Sequence, residues 1–101
     1  MEWGLQNRLS RIIKPHNNRA LMLAVDHGYF LGPTEKLENP KKVIAPLLRH
    51  CDSLMLTRGV QRTSVDPASE TPMVLRVSGG SSMIGDDLSQ EDITVSIEEA
   101  L

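Results

Sequence analysis

The sequence predicts an α/β fold with a parallel sheet, and three observations predict it. Short apolar runs recur at Ala20–Val25 (ALMLAV), Ser53–Thr57 (SLMLT) and Met73–Val77 (MVLRV). Each has the length and the branched, apolar content of a strand that other elements cover. Between the first two runs, Val43, Ile44, Leu47 and Leu48 recur at helical spacing. A strand, a crossover helix and a second strand form a unit whose two strands run parallel. Finally, the first run stops abruptly at Asp26-His27-Gly28, an acid and an imidazole followed by a permissive backbone. Ligands bind at the carboxyl ends of strands in parallel α/β folds, which makes Asp26 and His27 the candidate site residues. The same tripeptide also serves as ordinary strand-end punctuation, with a capping Asp and a loop His.

A chain of 101 residues with 40% hydrophobic content can build a core, which argues against disorder. The net charge of −2 conceals an asymmetry, since residues 1–50 hold eight basic and four acidic side chains while residues 51–101 hold three and nine. The halves therefore carry +4 and −6. The aromatic residues Trp3, Tyr29 and Phe30 do not interleave with a basic cluster, so nucleic acid is not an expected partner. Cys51 has no second cysteine to pair with, which fits a reducing compartment and the role of a small buried apolar group. The reading is of a cytoplasmic protein with no signal peptide, membrane span, metal or cofactor.

In chain order, Leu5, Leu9, Ile12 and Ile13 fall on one face of an N-terminal helix ended by Pro15. The helix precedes the first strand and is expected to cover its amino-terminal end. His16-Asn17-Asn18 then turns the chain into the strand Ala20–Val25, expected to be buried on both faces. Lys14 belongs at the opposite end of that strand from Asp26, as a solvated lysine. Tyr29–Glu38, with its Gly32-Pro33 turn signal, is a loop long enough to reach across a pocket mouth. Asn39-Pro40 reads as an N-cap followed by a first-turn proline. Pro46 interrupts the helix that follows, which is expected to end near Arg49-His50, where cationic groups suit the helix dipole.

Pro67 and Pro72 bracket a polar connection to the third strand. Ser78-Gly79-Gly80-Ser81-Ser82 then reads as a loop, because it lacks both phosphate-binding glycine spacings. Ser96-Ile97-Glu98-Glu99 is a capping box, the signature of a helix beginning. The rival reading caps at Ser89 and places Ile93, Ile97 and Leu101 on one helical stripe. Three parallel strands with two covering helices would leave buried-type strands exposed at both edges, which favours the capping box and a missing continuation.

The runs NRLSRIIKP, LMLAVDHGYFLGP, LMLTRGV, PMVLRVSGGSS and VSIEEAL together resemble the amino-terminal part of class I (Schiff-base) aldolases of the DhnA type. The likeness is greatest to their LsrF branch of autoinducer-2 processing. Archaeal-type fructose-bisphosphate aldolases and aminodideoxyheptulosonate synthases are broader relatives. The resemblance spans nearly the whole chain and less than half of the family's pattern. It implies the amino-terminal portion, about three strands, of a (βα)8 TIM barrel. Residues 1–19 would form a leading helix and turn, and residues 20–101 the first βα units, as a single partial domain.

In the family, a lysine near the end of the sixth strand forms a Schiff base with a ketone carbon of a phosphorylated ketose or dione. The protonated imine then acts as an electron sink for aldolase or thiolase chemistry. The resemblance places Asp26 beside the substrate, to stabilise the developing iminium, and His27 nearby, to move a proton. It also implies a homo-oligomer at full length. None of Lys14, Lys36, Lys41 and Lys42 follows a predicted strand, so the nucleophile is expected to be absent from this chain. The expectation is a truncated or partial enzyme, inactive alone. The alternatives are a non-catalytic binding module and an interaction module that completes a barrel with a separate chain.

Overall fold

The apolar positions at the start of the chain form a shorter helix than their spacing predicts. In the computed structural model, which describes residues 1–26, 38–79 and 92–101, helix α1 spans Trp3–Ser10. It ends well before Pro15, and Ile12 and Ile13 lie beyond it. Two local features end it. Lys14 precedes a proline and is steered away from helical geometry, and its N–H donates instead to the Arg19 carbonyl at 3.0 Å. Asn18 adopts a positive φ of 55° that completes this turn, a conformation asparagine tolerates better than most residues. Helix α1 buries none of its residues, and Trp3 is 79% exposed. The expectation that it covers the first strand is thus not met.

Three strands, β1 (Met22–Ala24), β2 (Ser53–Thr57) and β3 (Met73–Arg76), form a parallel sheet in the order β1-β2-β3. The ladder extends past the formal ends of β1. The Val25 N–H donates to the Met55 carbonyl at 2.8 Å, and the Asp52 N–H donates to the Leu21 carbonyl at 2.8 Å. Asp52 also clamps the amino end through its carboxylate, which accepts from the Leu21 N–H at 2.7 Å.

Helix α2 (Pro40–Leu47) makes the first crossover, as Asn39-Pro40 predicts. The Asn39 side chain accepts from the Lys42 N–H, and proline opens the helix. Pro46 sits in its last turn, after which the chain tightens into a 3-10 turn at Leu48–His50, a frequent helix ending. The second crossover is a short helix absent from the sequence reading, α3 (Arg58–Ser64), capped by Thr57. The composition hides it: Gly59, Val60, Thr63 and Ser64 are poor helix formers. Tertiary packing stabilises it, because Val60 and Val65 pack onto the core.

Side chains alternate across a strand, and this decides what is buried. On one face Val25, Leu54 and Leu56 pack with Ile44 of α2, and Leu23, Leu48, Val60, Val65 and Met73 surround them. On the other face lie Met22, Ala24, Met55 and Val74, all half-buried or exposed, together with the buried Ser53. The first strand is therefore buried on one face, not two, because α2 and α3 both pack against the face that carries Val25, Leu54 and Leu56. Ser53, fully buried at the amino end of β2, has a hydroxyl without a hydrogen-bond partner among the described residues. Cys51 is half-buried, and burial, with the neighbouring Asp52 charge, raises its thiol pKa.

Beyond β3, Ser78–Gly79 (β4) pairs antiparallel with Asp92–Ile93 (β5). Ser78 and Gly79 are thus strand, not loop as the sequence suggests, while Gly80 to Ser82 lie outside the described residues. Helix α4 (Ile97–Ala100) is capped by Ser96, whose hydroxyl accepts from the Glu99 N–H at 3.2 Å. The capping box is read correctly. The rival helix through Ile93 is excluded because Ile93 is in a strand, and Ser89 lies outside the described residues.

Both outer strands of the parallel sheet offer unpaired backbone edges among the described residues, and its apolar second face is uncovered by them. Such surfaces promote association. The isolated chain is expected to self-associate with rising concentration, measured by size-exclusion chromatography with light scattering. A soluble monomer with a sharp cooperative melt would contradict this.

Candidate functional site at the carboxyl end of the sheet

Continuing the register of Ala24 with Met55 by two residues brings Asp26 opposite Thr57, which is itself opposite Arg76. All three belong to the uncovered face, and Asp26 and Arg76 reach each other across the end of β2. Arg76 Nη1 donates to Asp26 Oδ2 at 2.9 Å, and the side chains are only 16% and 15% exposed. Arg76 Nε donates to the Ser78 carbonyl at 3.2 Å, which ties the guanidinium to the start of β4. Asp26, Met55, Leu75, Arg76, Val77 and Ser78 line an open hollow of about 540 Å³. The lining mixes apolar side chains with the Asp26–Arg76 ion pair, which suits a small polar ligand.

Of the two site residues that the sequence singles out, Asp26 stands at this hollow, and His27 lies outside the described residues. Sequence reasoning missed Arg76. Its signal was a cation at the last position of an apolar strand, directly before a serine-glycine stretch, and that position marks the carboxyl end of a parallel sheet as surely as Asp26 does.

Lys14 lies at the opposite end of the sheet, 3.8 Å from the Asp52 carboxylate that clamps the start of β1. Lys41 and Lys42 sit exposed in the first turn of α2, while Lys36 lies outside the described residues. No described lysine ends a strand. A second missed pair joins Arg58, the first residue of α3, to the Glu99 carboxylate of α4. Glu99 therefore reaches across to the neighbouring helix and does not complete the reciprocal half of its own capping box. The larger hollow, of about 620 Å³, lies beside this pair and includes Arg62, Thr71 and Leu101 in its lining. It shares no lining residue with the hollow at Asp26.

Among the described residues no group of three or more His, Cys, Asp or Glu side chains is placed to hold a metal ion, and no helix is long and apolar enough to cross a membrane.

No family model matches the chain. It is, however, 52% identical over all 101 residues to the 3-hydroxy-5-phosphonooxypentane-2,4-dione thiolases of Enterobacter sp. (strain 638) and Klebsiella pneumoniae, covering 34% of each. To the thiolase of Escherichia coli (strain K12) it is 48% identical with the same coverage. The chain is similar to these thiolases over its whole length. Its fold agrees. A Schiff-base-forming fructose-1,6-bisphosphate aldolase superposes with a TM-score of 0.71 at 25% identity, over 95% of this chain and 39% of the aldolase. An archaeal fructose 1,6-bisphosphate aldolase does so with a TM-score of 0.70 over the same shares.

These aldolases are TIM barrels, and β1-β2-β3 with their crossover helices form part of such a barrel. The chain spans about a third of the length of the thiolases it matches. In a closed barrel the helices lie outside, and the opposite face of the strands lines the interior. The face carrying Met22, Ala24, Met55 and Val74 is the interior face by this criterion.

Proposed function

We propose that these 101 residues supply the first strands, and the Asp26 end of the active site, of a Schiff-base aldolase or thiolase barrel. Its substrate is a phosphorylated ketose or dione. The observation that carries this reading is the placement of Asp26 at the carboxyl end of β1, at a hollow on the barrel-interior face. The similarity to dione thiolases and to Schiff-base-forming aldolases supports the reaction class.

The chemistry divides between this chain and a lysine outside it. That lysine adds to the substrate carbonyl, and loss of water leaves a protonated imine. Cleavage of the neighbouring carbon–carbon bond sends its electron pair into the imine to form an enamine. Asp26 faces the positive charge of the imine and stabilises it. His27, the next residue, moves the proton that the cleaved fragment gains or loses. Since none of the four lysines here serves as the nucleophile, the 101-residue chain is inactive alone.

The test is a chimera in which this chain replaces the matching segment of the Enterobacter thiolase. Borohydride in the presence of substrate is expected to fix label on a lysine of the thiolase portion, located by peptide mass spectrometry, and to leave Lys14, Lys36, Lys41 and Lys42 unmodified. Label on one of those four, or turnover by the 101-residue chain alone, would overturn the reading.

The open edges of β1 and β3 favour a second reading, a non-catalytic module that completes a barrel with a separate chain. Stable co-purification with the complementary portion of the thiolase, without turnover, would select it.

A further inference from the structure

We infer that Arg76 is a positioning residue for Asp26: it fixes one oxygen of the carboxylate, at the hollow that Asp26 lines, and leaves the other without a hydrogen bond from the described residues. The inference rests on the proposed function and adds a residue to it. Oδ2 of Asp26 is taken by the Arg76 guanidinium at 2.9 Å. Oδ1 accepts no hydrogen bond from any described residue. The two oxygens are therefore unequal, one anchored and one available to a cationic intermediate.

The anchor is itself held. Arg76 ends β3, which pairs along its length with β2, and its Nε donates to the Ser78 carbonyl at 3.2 Å. A planar guanidinium bonded on two sides cannot swing, whereas Asp26 lies two residues past the end of β1 and, among the described residues, has Arg76 as its one side-chain partner. Arginine suits this task better than lysine, because its donors sit in a rigid fork while an ammonium offers a mobile point charge. The pair is mostly shielded from water, so solvent weakens it little.

Kinetics on the chimera and chemical labelling of Asp26 test this together. In Arg76→Gln, turnover is expected to fall about tenfold to a hundredfold, as for other losses of an orienting partner, while KM stays within about threefold. Arg76→Lys, which restores charge without the fork, should recover part of the lost turnover. Carbodiimide labelling of Asp26, read by mass spectrometry on the chimera and on the 101-residue chain, should become severalfold faster in Arg76→Gln.

Unchanged kcat in Arg76→Gln, or a change confined to KM, would overturn the inference. A folded parent chimera that neither turns over nor traps a lysine would instead overturn the proposed function. Labelling then decides the role of Arg76, and an unaltered Asp26 labelling rate would refute it.

Discussion

Replacing Asp26 by Asn in the chimera is expected to lower turnover by a hundredfold or more while reducing borohydride-trapped imine much less. The substitution keeps the size of the side chain and the oxygen that Arg76 contacts, but removes the negative charge. In the proposed mechanism imine formation depends first on a lysine of the thiolase portion of the chimera. Bond cleavage requires the protonated imine, whose population the carboxylate raises in every turnover, whereas borohydride reduction is irreversible and accumulates whatever imine forms, so turnover falls further than trapped imine. Removal of one such electrostatic partner typically costs about 2.7–4 kcal/mol.

The asparagine also leaves the Arg76 guanidinium, 16% exposed, without a counter-charge, so a fall in stability could be mistaken for a loss of chemistry. Measuring trapped imine and turnover on the same preparation separates the two effects. A misfolded chimera loses both together, whereas the electrostatic role predicts their divergence. Equal turnover by the variant and the parent would remove Asp26 from the mechanism.

The second large effect belongs to the core. Leu54 is fully buried at the centre of the sheet, level with Leu23 on one side and Met73 on the other, and packs in the cluster with Val25, Ile44 and Leu56. Leu54→Ala is expected to destabilise the chain by about 2–5 kcal/mol, the sum of lost transfer energy and the cavity left behind. Small domains are stable by only about 5–15 kcal/mol, and this chain has just four fully or nearly fully buried apolar side chains among its described residues. The substitution should therefore abolish the folded state or bring it to its limit.

Equilibrium urea unfolding at low protein concentration measures the effect. Leu21→Ala, at a position 62% exposed, is the control and should change stability by about 0.5 kcal/mol or less. Similar losses in the two variants would mean that Leu54 does not anchor the core.

The three strands, the helix opened by Asn39-Pro40 and the helix start at Ser96 were legible in the sequence because each depends on local physics. A short apolar run pairs as a strand, asparagine before proline caps a helix, and the serine of a capping box reaches the N–H three residues on. Asp26 was legible as a candidate for the same reason, standing where an apolar strand stops. The family resemblance rested on the order of several such segments, and the similarity to dione thiolases and Schiff-base aldolases agrees with it.

Only the tertiary structure decided the rest. Helix α3 has weak intrinsic propensity and exists because Val60 and Val65 find the core. The first strand looks buried on both sides by composition, yet burial depends on what lies against each face, and α2 and α3 both lie against the same one. Glu99 belongs to a capping box in sequence, but its carboxylate goes to Arg58, 41 residues away along the chain. The partner of Asp26 is 50 residues distant, and no local rule connects them. Parallel pairing through β2 brings those two strand ends together, because register puts every second residue of neighbouring strands on a common face.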